Sequence, residues 1–530
     1  MHLSAVDIGI FGAYFVGIIA LGVVASRRAG GSKRDYFLAG DKLRWWMVGG
    51  SIVAANISSH HFIGVIGTAY SRGFVAMVIE WGAILVGFNA LLWIFLPFYL
   101  RNGFYTMPEF LQKRFGAGVR VTYAVLILIT YVFVEISAVL YLGAMALHTL
   151  FGLPLAVSIV VLAAFTGVYT IAGGLRAVVW TEMFQLVVLV TGGLALAFAA
   201  LHAVGGWSGF MATSKDWHMM LPATDPDFPW TMYLGGIICV SVFYCAANQF
   251  IVQRTLAAKD EWHARMGVVF TQYLKFFLPL IIVVPGLIAP QLIPKLDKPD
   301  MAFPTLVQKL LPPGLIGLVM AGLIAAVMSH LSGAVNSCTT ILAVDFYQPF
   351  INKGASDAQA VRFGRMAGAV VVAVGVFWSF VLVRHSEKPI FIYLLNAYGY
   401  VTPGIATIFL LGIFWKRTTH AGALTAGLLT IPLSIVVEKV APLFAPQWAK
   451  YLTPFWNRTG IVFWTCMAVC AAVSLFTQAK PEEEIKGLIW NKESLRLPEA
   501  IRAKMRGFQS PFLWWAIVTA AVVYFYIRYW

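Results

Sequence analysis

Charge is what this chain lacks most. Asp, Glu, Lys and Arg make up 12% of its 530 residues, and only 23 side chains are acidic. Hydrophobic residues make up 60%, and the mean hydropathy is +0.80. A soluble domain has too little surface to hide that much apolar area from water, so the composition calls for a polytopic helical membrane protein. Cysteine is sparse as well. Cys239, Cys245, Cys338, Cys466 and Cys470 all fall within apolar segments. That pattern excludes a disulfide framework and a cysteine metal motif, and leaves small packing residues. There is no Walker loop and no G-x-S-x-G elbow, and the neighbours His60 and His61 diverge on a helix instead of forming an i, i+4 zinc pair. Enzymatic chemistry is therefore not expected. The net charge is +15, but the basic residues are scattered through short loops with no stripe. This pattern marks membrane topology and argues against nucleic acid as a partner.

What the chain has in quantity is apolar sequence of spanning length. At roughly 20 residues per crossing, it divides into about fourteen helices. They lie near 5–26, 45–70, 74–99, 120–149, 153–172, 178–203, 231–252, 266–294, 312–344, 361–384, 389–415, 419–441, 457–478 and 511–529. The first run is too long and its N-terminal flank too poor in basic residues for a cleavable signal, so it is expected to be a true first helix. Lys and Arg concentrate in alternate loops beginning with 27–44. That side is expected to be cytoplasmic, with both termini outside, in the plasma (inner) membrane. Residues 1–530 are expected to form one membrane domain.

The segment 45–70 is interrupted at its centre by Ala54-Ala55-Asn56-Ile57-Ser58-Ser59-His60-His61. Polar or unwound helix at membrane depth is tolerated only against protein or a water-filled cavity, and broken helices are how secondary transporters build their sites. A second interruption, Tyr244-Cys245-Ala246-Ala247-Asn248-Gln249, echoes Ala54-Ala55-Asn56. Each would open a five-helix unit, over 45–203 and 231–415, with 1–44 and 416–530 as flanking helices and loops. An odd number of helices per unit makes the second copy inverted.

Three ionisable residues stand in apolar surroundings. Lys275 either binds at a site or snorkels to headgroups from two turns inside its helix. Glu80 and Glu135 are its candidate partners, with an interfacial acid as the alternative for Glu80. Carboxylate, ammonium and an aromatic face such as Tyr244 suit a sugar, whose hydroxyls need acceptors and donors and whose ring stacks. Tyr244 could equally serve ordinary packing. Ser329, Ser332 and Asn336 share one helix face with Gly333. Their hydroxyls, with carbonyls freed at the first break, fit a hard cation, while the four-residue spacing of Ala325, Ser329 and Gly333 fits close helix packing.

Several blocks in order extend this pattern: Asp35-Tyr36-Phe37-Leu38-Ala39-Gly40, Ala54-Ala55-Asn56-Ile57-Ser58, Gly173-Gly174-Leu175-Arg176-Ala177-Val178-Val179-Trp180-Thr181, Asn248 through Lys259, and Pro403-Gly404. Over nearly its whole length the chain resembles the sodium:solute symporter family, and within it the sodium–sugar cotransporter branch. The resemblance implies an all-α integral membrane protein of LeuT-type fold, a 5+5 inverted repeat working by alternating access. It implies a small solute, most simply a monosaccharide, as cargo with Na⁺, the lipid bilayer as surroundings, and no obligate protein partner.

By position, the family's sodium site falls on the carbonyls of Ala54, Ile57 and Ala326 and the hydroxyl of Ser329. Its next ligand, a second hydroxyl, is replaced by His330. The sugar site falls on His61, Glu80, Lys275 and Tyr244. Ala83, Ser241 and Leu395 stand where bacterial galactose members have Ser, Asn and Gln, so Ser241 is a retuned sugar position. Glu135 replaces an Asn, and Glu182 an Asp. A protonated His330 about 4 Å from Na⁺ would cost roughly 4 kcal/mol at an effective dielectric of 20, so Na⁺ and H⁺ would exclude one another and H⁺ is the alternative coupling ion. Rival expectations are a symporter of the same fold for a carboxylate or amino acid, met by Lys275 or His61, and a transporter-like solute sensor. The 479–510 segment is short for a signalling domain.

Overall fold

The computed structural model describes residues 4–27, 32–213, 217–385, 390–491, 499–502 and 505–530. Among the described residues the chain is helical throughout, with only two isolated bridges of β type. In chain order the membrane helices are α1 (Ala5–Arg27), α2 (Trp45–Asn56), α3 (His61–Arg101), α4 (Ala117–His148) and α5 (Leu155–Ala203). There follow α6 (Gly236–Ala247), α7 (Gln249–Leu256), α8 (Glu261–Leu292), α9 (Leu315–Ile351) and α10 (Asp357–His385). Last come α11 (Ile390–Phe414), α12 (His420–Phe444), α13 (Phe455–Phe476) and α14 (Pro511–Arg528).

All fourteen expected positions carry helix, but they merge and divide differently from a simple count of crossings. Among the described residues, eleven continuous helices are long and apolar enough to span a membrane, or 12 if the bent pair α6–α7 is one span. The helix α5 covers two expected crossings and turns at Gly174, with φ 58° and ψ −158°. A Cβ there would lie 2.4 Å from the Tyr36 carbonyl oxygen, so only glycine fits both the dihedral and the contact. The helix α3 likewise runs on past Gly73, which sits at φ 78°. The helix α2 is short because the ladder stops at Ile57, an extended residue at φ −76° and ψ 122°.

Burial ranks the helices. In α9, 83% of the most apolar window is buried, against 22% in α1 and in α14. Glycines explain the central place of α9. Gly322 approaches the Leu189 Cα of α5, and Gly192 of α5 approaches Val319 of α9, so the two backbones pack closely. The small-residue face of α9 does serve packing, since Gly333 lies against the Phe250 ring and Arg254.

Loop contacts sort the ends into two faces. Lys33 meets Gln348, Arg120 pairs with Asp345, and Leu43 bridges Ala258, which gathers the basic alternate loops on one face. On the other, Asp7 accepts from the Gly314 and Gly317 amides, Arg72 pairs with Asp225, and Met219 donates to the Tyr529 carbonyl. Both chain ends therefore lie opposite the basic loops.

Candidate functional site

Both interrupted segments end in freed carbonyls, and each break satisfies them differently. At the first, the Ser329 hydroxyl donates to Ala54 O at 2.7 Å and lies 3.1 Å from Ala326 O. The next carbonyl, Ala55 O, accepts from His330 Nδ1 at 2.8 Å. Consecutive residues of α9 thus hold consecutive carbonyls at the open end of α2. At the second, Tyr99 donates to Ala246 O at 2.8 Å and Tyr123 to Ala247 O at 2.6 Å. Asn248 is extended, at φ −91° and ψ 120°, and its Oδ1 accepts the Phe250 N–H at 3.0 Å, capping α7. The helices on either side of Asn248 bend by 42°.

A cavity opens beside these breaks, bordered by Asn56, His61, Glu80, Glu135, Ser241, Tyr244, Lys275 and His330. All six side chains expected to meet the solute line it: His61, Glu80, Tyr244, Lys275, Glu135 and Ser241. Lys275 is 2% exposed and does not snorkel, and Glu80 is 7% exposed and is no interfacial acid. The Lys275 ammonium donates to Glu80 Oε2, and the Phe88 ring centroid is 5.9 Å from Nζ. His61 completes the group with Nε2 3.0 Å from Glu80 Oε1. Its Nδ1 accepts the Ser58 N–H at 3.2 Å. A backbone N–H only donates, so the imidazole is the neutral Nε2–H tautomer and donates to Glu80. Tyr244 accepts from Asn56 Nδ2 through its hydroxyl at 2.9 Å and presents its ring to the cavity.

His330 is arranged the other way. A carbonyl only accepts, so Nδ1 carries the proton toward Ala55 O, and Nε2 faces Glu135 Oε2. Both nitrogens are engaged, so the ring has no free lone pair for a cation held by the Ala54, Ala326 and Ser329 oxygens and is not itself a ligand. Glu182 is fully buried against Arg254, which also donates to Ser51 Oγ at 2.8 Å. It lies in a structural ion pair and not on the cavity. Ala83 borders the cavity, and Leu395 lies in α11 with its side chain outside those described.

Sequence reasoning missed the cavity's other wall. Tyr398, Phe455 and Trp456 border it from the start of α11 and α13, and the buried Tyr398 hydroxyl has no partner among the described residues. It also missed the π-helical stretches. His61, Ala83, Phe88, Glu135, Tyr244 and Cys245 all sit in such stretches, His61–Val65, Ala83–Phe88, Thr130–Ile136 and Phe243–Ala247. A π turn inserts one residue and re-aims the side chains beside it, a device common at functional sites. Hydropathy carries no trace of it.

A family model for the sodium:solute symporter family matches residues 36–430. The chain belongs to that family. A sodium/glucose cotransporter of Vibrio parahaemolyticus is 37% identical over 522 residues, covering 92% of this chain and 93% of that protein. A human sodium/myo-inositol cotransporter is 33% identical over 555 residues, covering 94% of this chain and 77% of that one. Among solved structures, a Na⁺-coupled sialic acid symporter superposes with TM-score 0.78 at 20% identity, covering 90% of this chain and 99% of that one. Mhp1, a nucleobase-cation-symport-1 transporter, superposes with TM-score 0.55 at 15% identity, covering 85% and 97%. The fold of this symporter is therefore of LeuT type. It is a multi-pass, sodium-coupled solute symporter and not an enzyme.

Proposed function

We propose that the chain imports a monosaccharide or similar cyclic polyol together with Na⁺ by alternating access. The observation that carries this is the buried Glu80 carboxylate, held between the Lys275 ammonium and the His61 Nε2–H on the wall of one cavity. Carboxylate oxygens accept hydroxyls, the ammonium donates to them, and Tyr244 offers an aromatic face for the ring. Glucose and myo-inositol, named for two relatives, share that chemistry. An anionic solute is disfavoured because Lys275 already neutralises Glu80, and drawing it away would leave a buried carboxylate unpaired.

Sodium is assigned to the carbonyls of Ala54, Ile57 and Ala326 and the Ser329 hydroxyl, with His330 beside them. The oxygen donors at the end of a broken helix suit a hard monovalent ion. The repeats are assigned to 45–203 and 231–415. The basic loops face the cytoplasm and both termini the other side, by the positive-inside rule.

Uptake of labelled D-glucose and myo-inositol into proteoliposomes tests this, with an inward gradient of sodium or of choline, at mildly acid and mildly alkaline pH. Accumulation that requires sodium and is competed by hexoses, not by proline, pyruvate or sialic acid, is expected. Full uptake in choline at every pH removes sodium coupling in favour of H⁺, and competition by the acids alone removes the sugar.

A further inference from the structure

We propose that Glu135 and His330 form a bridge that couples the solute cavity to the cation cradle, so that solute and sodium change each other's affinity through it. This rests on the sodium–polyol reading above. Glu135 and His330 both border the cavity, and both are buried. The imidazole spans the distance between them and the cradle: Nε2 meets Glu135 Oε2, and Nδ1 donates to Ala55 O at 2.8 Å. The neighbouring carbonyl, Ala54 O, is the one that Ser329 Oγ holds at 2.7 Å. A run of hydrogen bonds therefore leads from a carboxylate on the solute wall to Ala55 O, one peptide along the chain from the Ala54 carbonyl assigned to the ion.

The ring is fixed on its remaining side. Phe250, in the first turn after the second break, packs against it with centroids 5.0 Å apart. Glu135 comes from the π-helical stretch Thr130–Ile136. Both interrupted helices and a π turn thus meet on one side chain. The two side chains touch each other. A solute hydroxyl donated to Glu135 draws on the carboxylate that positions His330, and His330 in turn positions Ala55 and its neighbour. An ion that pulls the cradle carbonyls acts along the same bonds in reverse, and linkage makes the effect mutual. Glu80 bonds to both Lys275 and His61, and among the described residues no hydrogen bond joins these three to this run.

The full chain is tested twice: sodium binding by calorimetry with no solute present, and D-glucose KM in proteoliposomes at saturating and limiting sodium. Glu135→Ala and His330→Ala are each expected to change sodium affinity by about fivefold or more and to reduce the sodium dependence of KM below about twofold. The double variant is expected to do no more than either single one, because each already breaks the same bridge. Glu135→Gln keeps a side chain of the same length whose amide can pair with Nε2 as donor or acceptor, and is expected to retain most of the coupling. If Glu135→Ala does not assemble, Glu135→Asn, too short to reach the ring, replaces it. Unchanged sodium affinity, additive losses in the double variant, or equal losses in the Gln and Ala variants overturn the bridge. Failure of the unaltered protein to take up glucose or myo-inositol sinks the polyol reading and leaves the calorimetry to judge the bridge. An unaltered protein that binds no sodium overturns both.

Discussion

The cavity contains two imidazole–carboxylate pairs, and their backbone partners make them opposites. His61 receives a backbone N–H and so must donate to Glu80, while His330 gives its proton to a carbonyl and turns its other nitrogen to Glu135. Only the first pair also carries an ammonium. Removing one member of the Glu80–Lys275 pair leaves a buried group without its partner. Glu80→Gln and Lys275→Ala are accordingly expected to lower uptake by at least about tenfold, at unchanged membrane level, equivalent to about 1.4 kcal/mol or more. Normal uptake by both variants would remove these residues from the site. Tyr398 makes a smaller claim. Its hydroxyl borders the cavity without a partner among the described residues, so the solute is its natural one. Tyr398→Phe is expected to raise KM about three- to tenfold with little change in maximal rate, the worth of one neutral hydrogen bond.

At the scale of elements, the two breaks differ in how firmly they are held. The second is pinned by Tyr99 and Tyr123 on the carbonyls and by Asn248, whose side chain also accepts from Tyr131. Asn248→Ala removes the cap of α7 and the acceptor of Tyr131 together. A loss of about 1–2 kcal/mol is expected, read as a lower midpoint of thermal unfolding in detergent. The first break rests on Ser329 and His330, one hydroxyl and one imidazole from a single helix. Under the sodium assignment proposed above, the first break is the one that binds and the second, pinned by three side chains, supports.

For the molecule as a whole, the gradient sets the limit of transport. One Na⁺ moving down ~100 mV contributes about 2.3 kcal/mol, and a tenfold concentration ratio about 1.4 more. With one ion per solute, accumulation is expected to level off at several hundredfold in proteoliposomes, and a markedly higher ratio would require a second ion. The faces are tied by loops as well as by helices. Asp225, in the 204–230 loop, is partly buried, which pushes its carboxyl up. The Phe228 and Asp227 amides and the Arg72 guanidinium more than offset this and hold it below the usual carboxylate range. A depressed folded value means that its stabilisation is present above the ordinary carboxylate range and is lost as pH falls through the folded value. Asp225→Asn is expected to lower the unfolding midpoint at neutral pH and to flatten the acid limb of its pH profile.

Much of this protein was legible in its residues taken in order. Helix positions follow from runs of apolar sequence, and both breaks follow from Asn and Ser inside those runs, because these effects are local to a turn or two of chain. Glu80, Glu135, Lys275 and Tyr244 were also within reach, since an ionisable or aromatic group at membrane depth declares itself, whereas His61 and Ser241 came from the family resemblance. Tertiary packing alone decided who meets whom. Glu80 and Lys275 are 195 residues apart, as are Glu135 and His330, and Glu182 turned to Arg254 instead of the cavity. The π turns that aim His61, Glu135 and Tyr244, and the merging of two crossings at Gly174, were hidden for the same reason. In a bundle buried on all sides, apolar periodicity no longer marks which face looks inward, so helical phase and partner choice come only from the neighbours.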